Sequence, residues 1–186
     1  MRKVATLACF LLMAPAFGEA FGNSAVFFPK FGMALFDKPI TLHQKKPWGI
    51  PYQWMIGTAY MQAIDYRWWW VAETSFAMGH LSNNGSPFIS SFMGGAGVRN
   101  NIFVDEFRPH TGIMIHYLQF FGDSVQKLPL NLGWPIFVGL KPYLGLEWLL
   151  GSEISLLFEL AYALYINLNE PFRQVFYTQT ALLIYF

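Results

Sequence analysis

Hydrophobic and polar positions alternate with a period of two along nearly the whole chain after its first twenty residues. In residues 153–167, Ile154, Leu156, Phe158, Leu160, Tyr162, Leu164 and Ile166 form one face, and Ser155, Leu157, Glu159, Ala161, Ala163 and Tyr165 form the other. Residues 134–149 repeat the arrangement: Ile136, Val138, Leu140, Leu144, Leu146 and Trp148 lie opposite Phe137, Gly139, Lys141, Tyr143, Gly145 and Glu147. Successive side chains of a strand point to opposite faces, so this pattern predicts strands set between two different surroundings. One face is uniformly bulky and apolar. The other is sparse in charge and rich in Gly and Ala, as the inside of a narrow barrel requires; the outer face of a soluble sandwich would be dense in Lys, Asp and Asn.

Eight such segments are read, at 24–36, 51–64, 67–82, 87–99, 103–119, 134–149, 153–167 and 172–186. The connections alternate in length. Those at 37–50, 83–86, 120–133 and 168–171 are the longer set, and Asp65-Tyr66, 100–102 and 150–152 are short. Short periplasmic turns and longer external loops are the habit of outer-membrane barrels, and the alternation fits an even strand count with the N-terminus on the periplasmic side.

Composition narrows the class. The stretch "MRKVATLACFLLMAPAFGEAF" has a basic start at Arg2 and Lys3, an apolar core from Val4 to Phe17 and the small-x-small exit Gly18-Glu19-Ala20. It reads as a secretory signal peptide, residues 1–20, leaving 21–186 as the mature domain. Cys9 leaves with it. Removing Arg2, Lys3 and Glu19 from the 12 basic and 11 acidic residues leaves ten of each, so there is no electrostatic case for nucleic acid. An apolar fraction of 54% with 19% aromatics is high for an exported soluble domain. Yet the mature segment has no run of about 20 apolar residues from which to make a spanning helix. The remaining solution for a hydrophobic exported chain is a closed barrel.

Aromatics gather near the predicted strand ends, with Trp68, Trp69, Trp70, Phe103 and Trp148 on the periplasmic side and Trp48, Trp54, Tyr117, Trp134 and Phe172 on the outer side, as in two interfacial girdles. The chain stops on "TALLIYF", where Phe186, preceded by Ile184, Leu182 and Thr180, resembles the C-terminal signal read by the barrel-assembly machinery. Together with "GGAGVRNNIF" (94–103), "FRPHTGIMIHY" (107–117) and "VGLKPYLGLEW" (138–148), the chain resembles the small eight-stranded OmpA-type and OmpW-type barrels over nearly all of 21–186. The resemblance implies an all-β, eight-stranded antiparallel up-and-down barrel in the bacterial outer membrane. It also implies a monomer in contact with outer-membrane lipids and lipopolysaccharide. It says little of function, because this fold carries adhesins, channels, enzymes and inert anchors.

The alternation sends Lys30, Glu73, Arg99, Glu106, Arg108, His110, His116, Lys141, Glu147, Glu159 and Arg173 inward. Lys30, Glu73, Lys141, Glu159 and His110 fall near mid-height; Arg99, Glu106, Arg108 and Glu147 fall toward the periplasm. Isolated charges there are expensive, so pairing is expected, with Lys141–Glu159 the foremost candidate. The network reads either as a gated polar path or as a salt-bridged plug, and the narrow lumen of eight strands favours the plug. His110 and His116, six residues apart on one strand, are too distant to share a metal without a third partner, and neither metal nor cofactor is expected.

"GHLSNNGSP" (79–87) raises a separate possibility. Extending the third strand places His80 and Ser82 on the lipid side at the outer rim. His80-Leu81-Ser82-Asn83 resembles the His-x-Ser-Asn core of the lipid A 3-O-deacylase and of outer-membrane phospholipase A. That resemblance implies Ser82 as nucleophile and His80 as base. Ser86, Phe88, Ser90 and Phe92 beyond the turn supply no acid or amide to orient the imidazole, which leaves Asn83 or Asn84. The plainer reading is a solvated turn. The loop lysines Lys38, Lys45 and Lys46 match anionic lipopolysaccharide head groups. The favoured role is therefore structural or interactive, with an outer-leaflet acyl ester hydrolase and a small-solute channel as alternatives.

Overall fold

A computed structural model describes residues 24–37, 52–80, 89–121, 136–167 and 170–186. They form eight strands: β1 (Ser24–Phe36), β2 (Tyr52–Ala63), β3 (Trp68–His80), β4 (Ile89–Asn101), β5 (Phe107–Phe121), β6 (Ile136–Leu149), β7 (Ile154–Asn167) and β8 (Glu170–Tyr185). Every strand pairs antiparallel with its sequence neighbour, and β8 closes on β1 from Ala25↔Tyr185 to Phe36↔Val175. The predicted signal peptide and most of the external connections lie outside the described residues.

Period two is realised directly as inside and outside. Along β3, Trp69, Val71, Glu73, Ser75 and Ala77 are buried while Trp68, Trp70, Phe76 and Met78 are exposed. One register shift matters. Phe27 and Lys30 are three residues apart and should face opposite ways, yet both are buried, because a bulge between them shifts β1 against β2 and β8. An extra residue in one strand reverses the phase beyond it.

The outer surface carries a continuous apolar belt, including Ile115 at 65% exposure, Leu144 at 59% and Ile166 at 56%. A surface of this kind is matched by acyl chains, since each of the eight described strands is paired on both sides and the closed sheet leaves no open strand edge toward hydrocarbon. Trp68, Trp70, Phe103, Trp148 and Trp54 stand exposed near strand ends as expected, with Phe107 stacked on Trp148 at 5.6 Å. Trp69 departs from the girdle reading: it points inward, 6% exposed, edge-on to Tyr185 at 6.0 Å. Adjacent strand residues cannot share a face. Trp48, Trp134 and the side chain of Phe172 lie outside what is described.

The short turns are built from local polar chemistry. Asp65 Oδ1 accepts the Arg67 and Trp68 amide N–H groups at 2.7 and 2.8 Å, and these bonds, Trp68's first, hold its carboxyl below the ordinary aspartate value. Asp105 Oδ1 accepts the Glu106 amide at 2.8 Å, and β5 starts at Phe107, four residues later than the hydrophobic pattern implied. Inside, small residues make room for large ones. A Cβ added at Gly95 would lie 2.7 Å from the His116 ring, one at Gly145 would lie 2.5 Å from His110, and one at Gly112 would collide with Tyr143.

Candidate functional site

The barrel interior concentrates the ionisable side chains. At mid-height Glu73, facing in from β3 and 4% exposed, accepts hydrogen bonds from Lys30 Nζ of β1 and Lys141 Nζ of β6. His116 of β5 brings Nε2 to 3.1 Å from the same carboxylate. Lys30 also lies 3.4 Å from Glu159 of β7, which meets His110 Nε2 at 3.3 Å. The other nitrogen of His116 contacts the Tyr165 hydroxyl, itself 2.6 Å from that of Tyr177, and the Lys141 ammonium lies 4.9 Å from the centre of the Tyr177 ring. Two lysines balance two glutamates, and six of the eight strands contribute a member.

The pairing differs from the sequence expectation at one point. Lys141 does not pair with Glu159. In the β6–β7 register Glu159 stands opposite Gly145, four residues along β6 from Lys141. Lys141 reaches instead across the lumen to Glu73. Neighbouring strands are only one kind of proximity in a closed barrel; the far wall is another.

A second cluster lies toward the end of the barrel that carries the short turns. Arg99 of β4 pairs with Glu147 of β6, and its Nε donates to Asn101 Oδ1 at 2.8 Å. Glu147 also accepts from Ser155 Oγ at 2.8 Å and from the Tyr185 hydroxyl. Arg108, its side chain 20% exposed, sits 3.8 Å from Glu147 at the mouth. Glu106 belongs to neither cluster. It lies in the turn before β5, exposed, where its carboxylate accepts from Trp148 Nε1 at 3.3 Å. The late start of β5 takes it out of the strand whose alternation was to send it inward.

The sequence reading named charges and passed over a third layer. Phe36, Phe120 and Phe137, each at most 2% exposed, pack with ring centres 5.8 Å apart across the outer part of the lumen, and the Arg173 guanidinium lies 5.4 Å from the Phe137 ring. Beside them Ser91 Oγ donates to Gln53 Oε1 at 2.7 Å, and Gln53 Nε2 donates to the Ile89 carbonyl at 2.8 Å. The signal was present as aromatic residues in the inward phase at the outer ends of β1, β5 and β6.

Among the described residues no group of three or more His, Cys, Asp or Glu side chains is placed to hold a metal ion. His80 closes β3, its backbone paired with Tyr52; Ser82 and Asn83 lie outside the described residues. Ile184 faces outward, and Phe186 is tied to Ser24 by reciprocal backbone hydrogen bonds of 3.0 and 3.2 Å.

No protein-family model and no curated protein matches this sequence. Solved structures do. The crystal structure of the outer membrane protein OprG from Pseudomonas aeruginosa matches with a TM-score of 0.61 and 13% identity, covering 91% of this chain and 98% of that one. The crystal structure of Neisserial surface protein A (NspA) matches with a TM-score of 0.61 and 10% identity, covering 88% and 98%. At such identities the likeness speaks for the fold alone, and the short resemblance of residues 80–83 to lipid hydrolases gains nothing from it. The chain folds as a small eight-stranded β-barrel of the outer-membrane type.

Proposed function

We propose that this protein is an integral outer-membrane barrel whose lumen is filled by a salt-bridged and aromatic plug, and that it serves as a structural or interaction protein rather than a pore. The observation that carries this reading is the layering of the lumen. The Phe36–Phe120–Phe137 layer stands above a charge-balanced core around Glu73, and the Arg99–Glu147 cluster lies below. Eight strands enclose little more volume than their own side chains need. Outer-membrane lipid and lipopolysaccharide are its surroundings, Phe186 and Ile184 its address for the barrel-assembly machinery, and a monomer its working form. In planar bilayers the purified protein gives at most small, rare openings. Steady conductance of porin size sinks the plug and favours the small-solute channel.

A second reading is kept because of one feature. An apolar groove on the lipid-facing wall opens at Met78, two residues before His80 on β3. In this reading Ser82 Oγ attacks the acyl carbonyl as His80 takes its proton and returns it to the departing alcohol, water then hydrolyses the acyl-serine to free the fatty acid, and Asn83 orients the imidazole. Refolded protein then releases fatty acid from phospholipid or lipopolysaccharide in detergent, and Ser82→Ala abolishes the release. A wild-type protein that releases none ends the hydrolase reading.

A further inference from the structure

We propose that one water molecule is bound inside the barrel between Glu159 of β7 and Gln179 of β8, as a resident member of the central ion cluster. The site goes beyond the plug reading, which asks only that the lumen be filled. Three observations at this wall point to it. Glu159 and Gln179 stand opposite each other in the β7–β8 register, and both face the lumen. Side chains so placed start about 5 Å apart, near enough for one small molecule to touch both. Gln179 is 4% exposed, yet neither its amide nitrogen nor its amide oxygen has a protein partner. Both atoms lack one, so turning the amide over changes nothing. Glu159 is held loosely. Its carboxylate lies 3.4 Å from Lys30 and 3.3 Å from His110, whereas both lysines grip Glu73 more closely. Its side chain is 9% exposed, against 3% or less for the other charged side chains of the central cluster. That opening is internal, because buried Phe36, Phe120 and Phe137 close the lumen on one side and buried Glu147, Leu157 and Leu183 on the other.

Charge, size and hydrogen bonding identify the occupant. Lys30 and Lys141 already balance Glu73 and Glu159. An ion of either sign would add an uncompensated charge to a low-dielectric interior. The inward neighbours along the two strands, Leu157 and Ala161 on β7 and Tyr177 and Ala181 on β8, are all buried and leave no room for a longer molecule. A carboxylate only accepts hydrogen bonds, while an amide both donates and accepts. The occupant must therefore donate to Glu159 and satisfy either end of Gln179. Water does both, and buried waters characteristically bridge two to four polar groups in this way.

The test counts long-lived internal waters by oxygen-17 relaxation dispersion of the solvent, using the refolded full-length protein in detergent micelles. This signal is blind to exchanging protein protons. Gln179→Met, similar in length but without the amide, should count one water fewer than wild type, while Gln119→Met on the outward face of β5 leaves the count unchanged. Folding is read from heat-modifiable gel mobility. A crystal structure of the wild-type protein needs no variant and decides if Gln179→Met does not fold. It should show one water peak within about 3.2 Å of both side chains. Equal counts in wild type and folded Gln179→Met, a Gln179 amide bonded directly to Glu159 with no density between them, or an ion at that place overturns the proposal.

Discussion

Two buried glutamates in one lumen are stabilised by different means. Glu73 at mid-height is answered only by cationic or titratable side chains: Lys30, Lys141 and the ring of His116, which reach it from three other strands. Glu147, nearer the mouth at the short-turn end, has Arg99 but also two neutral hydroxyls, those of Ser155 and Tyr185, and a partly exposed Arg108. Both arrangements satisfy the carboxylate. They differ in what remains when its charge is removed. Without Glu73, the dry centre keeps two ammonium groups, only one of which has Glu159 within reach. Without Glu147, one guanidinium keeps Asn101, and the other faces water. The depth of a charge and the kind of partner it has set its importance, more than the number of contacts it makes.

This comparison can be broken by measurement. Glu73→Gln keeps the shape and removes the charge, and should cost about 3–5 kcal/mol in denaturant unfolding from micelles or bilayers, the range for orphaning a buried ion. Glu147→Gln should cost about 2 kcal/mol, because its hydroxyl partners serve a neutral amide as well. Equal losses would mean that depth makes no difference here. Adding Lys141→Met to Glu73→Gln sharpens the point. The double variant should recover at least about 1 kcal/mol over Glu73→Gln alone, since removing the stranded ammonium relieves the penalty. A double variant weaker than the single one would show that Lys141 stabilises through packing on Tyr177 instead.

The smallest effect is expected at the surface. Asp65 is exposed, and its two backbone hydrogen bonds need the ionised form. A carboxyl lowered on folding adds stability that is present above its unfolded value of 3.8 and is lost as pH falls through the folded value. Melting curves of wild type and Asp65→Ala should therefore differ slightly at neutral pH and converge below about pH 3. A gap that persists there would assign the effect to chain geometry rather than to charge.

Much of this molecule was legible along the chain because the side-chain period of a strand is local. Whether Glu73 points in or Met78 points out follows from counting residues, as do the eight strands, the short turns and ten of the eleven inward assignments. His80, Ser82 and Asn83 form a local string too, but a four-residue string carries no geometry. The misses came where a local rule met an irregular backbone or a distant wall. Glu106 was displaced by a turn that started later than the hydrophobic pattern, and Trp69 was counted with its outward neighbours although it must face the other way.

By itself the sequence determined the architecture, the sidedness of each strand and the list of ionisable groups the lumen must accommodate, because each of these rests on alternation and turn length. Only the tertiary structure decided who meets whom. Lys141 found Glu73 instead of Glu159, three phenylalanines from separate strands met as one layer, and the β1 bulge kept Phe27 and Lys30 on the same side. Closing the sheet brings residues more than 40 positions apart within bonding distance, and those distances depend on how all eight registers add up around the barrel, a sum that no single strand contains.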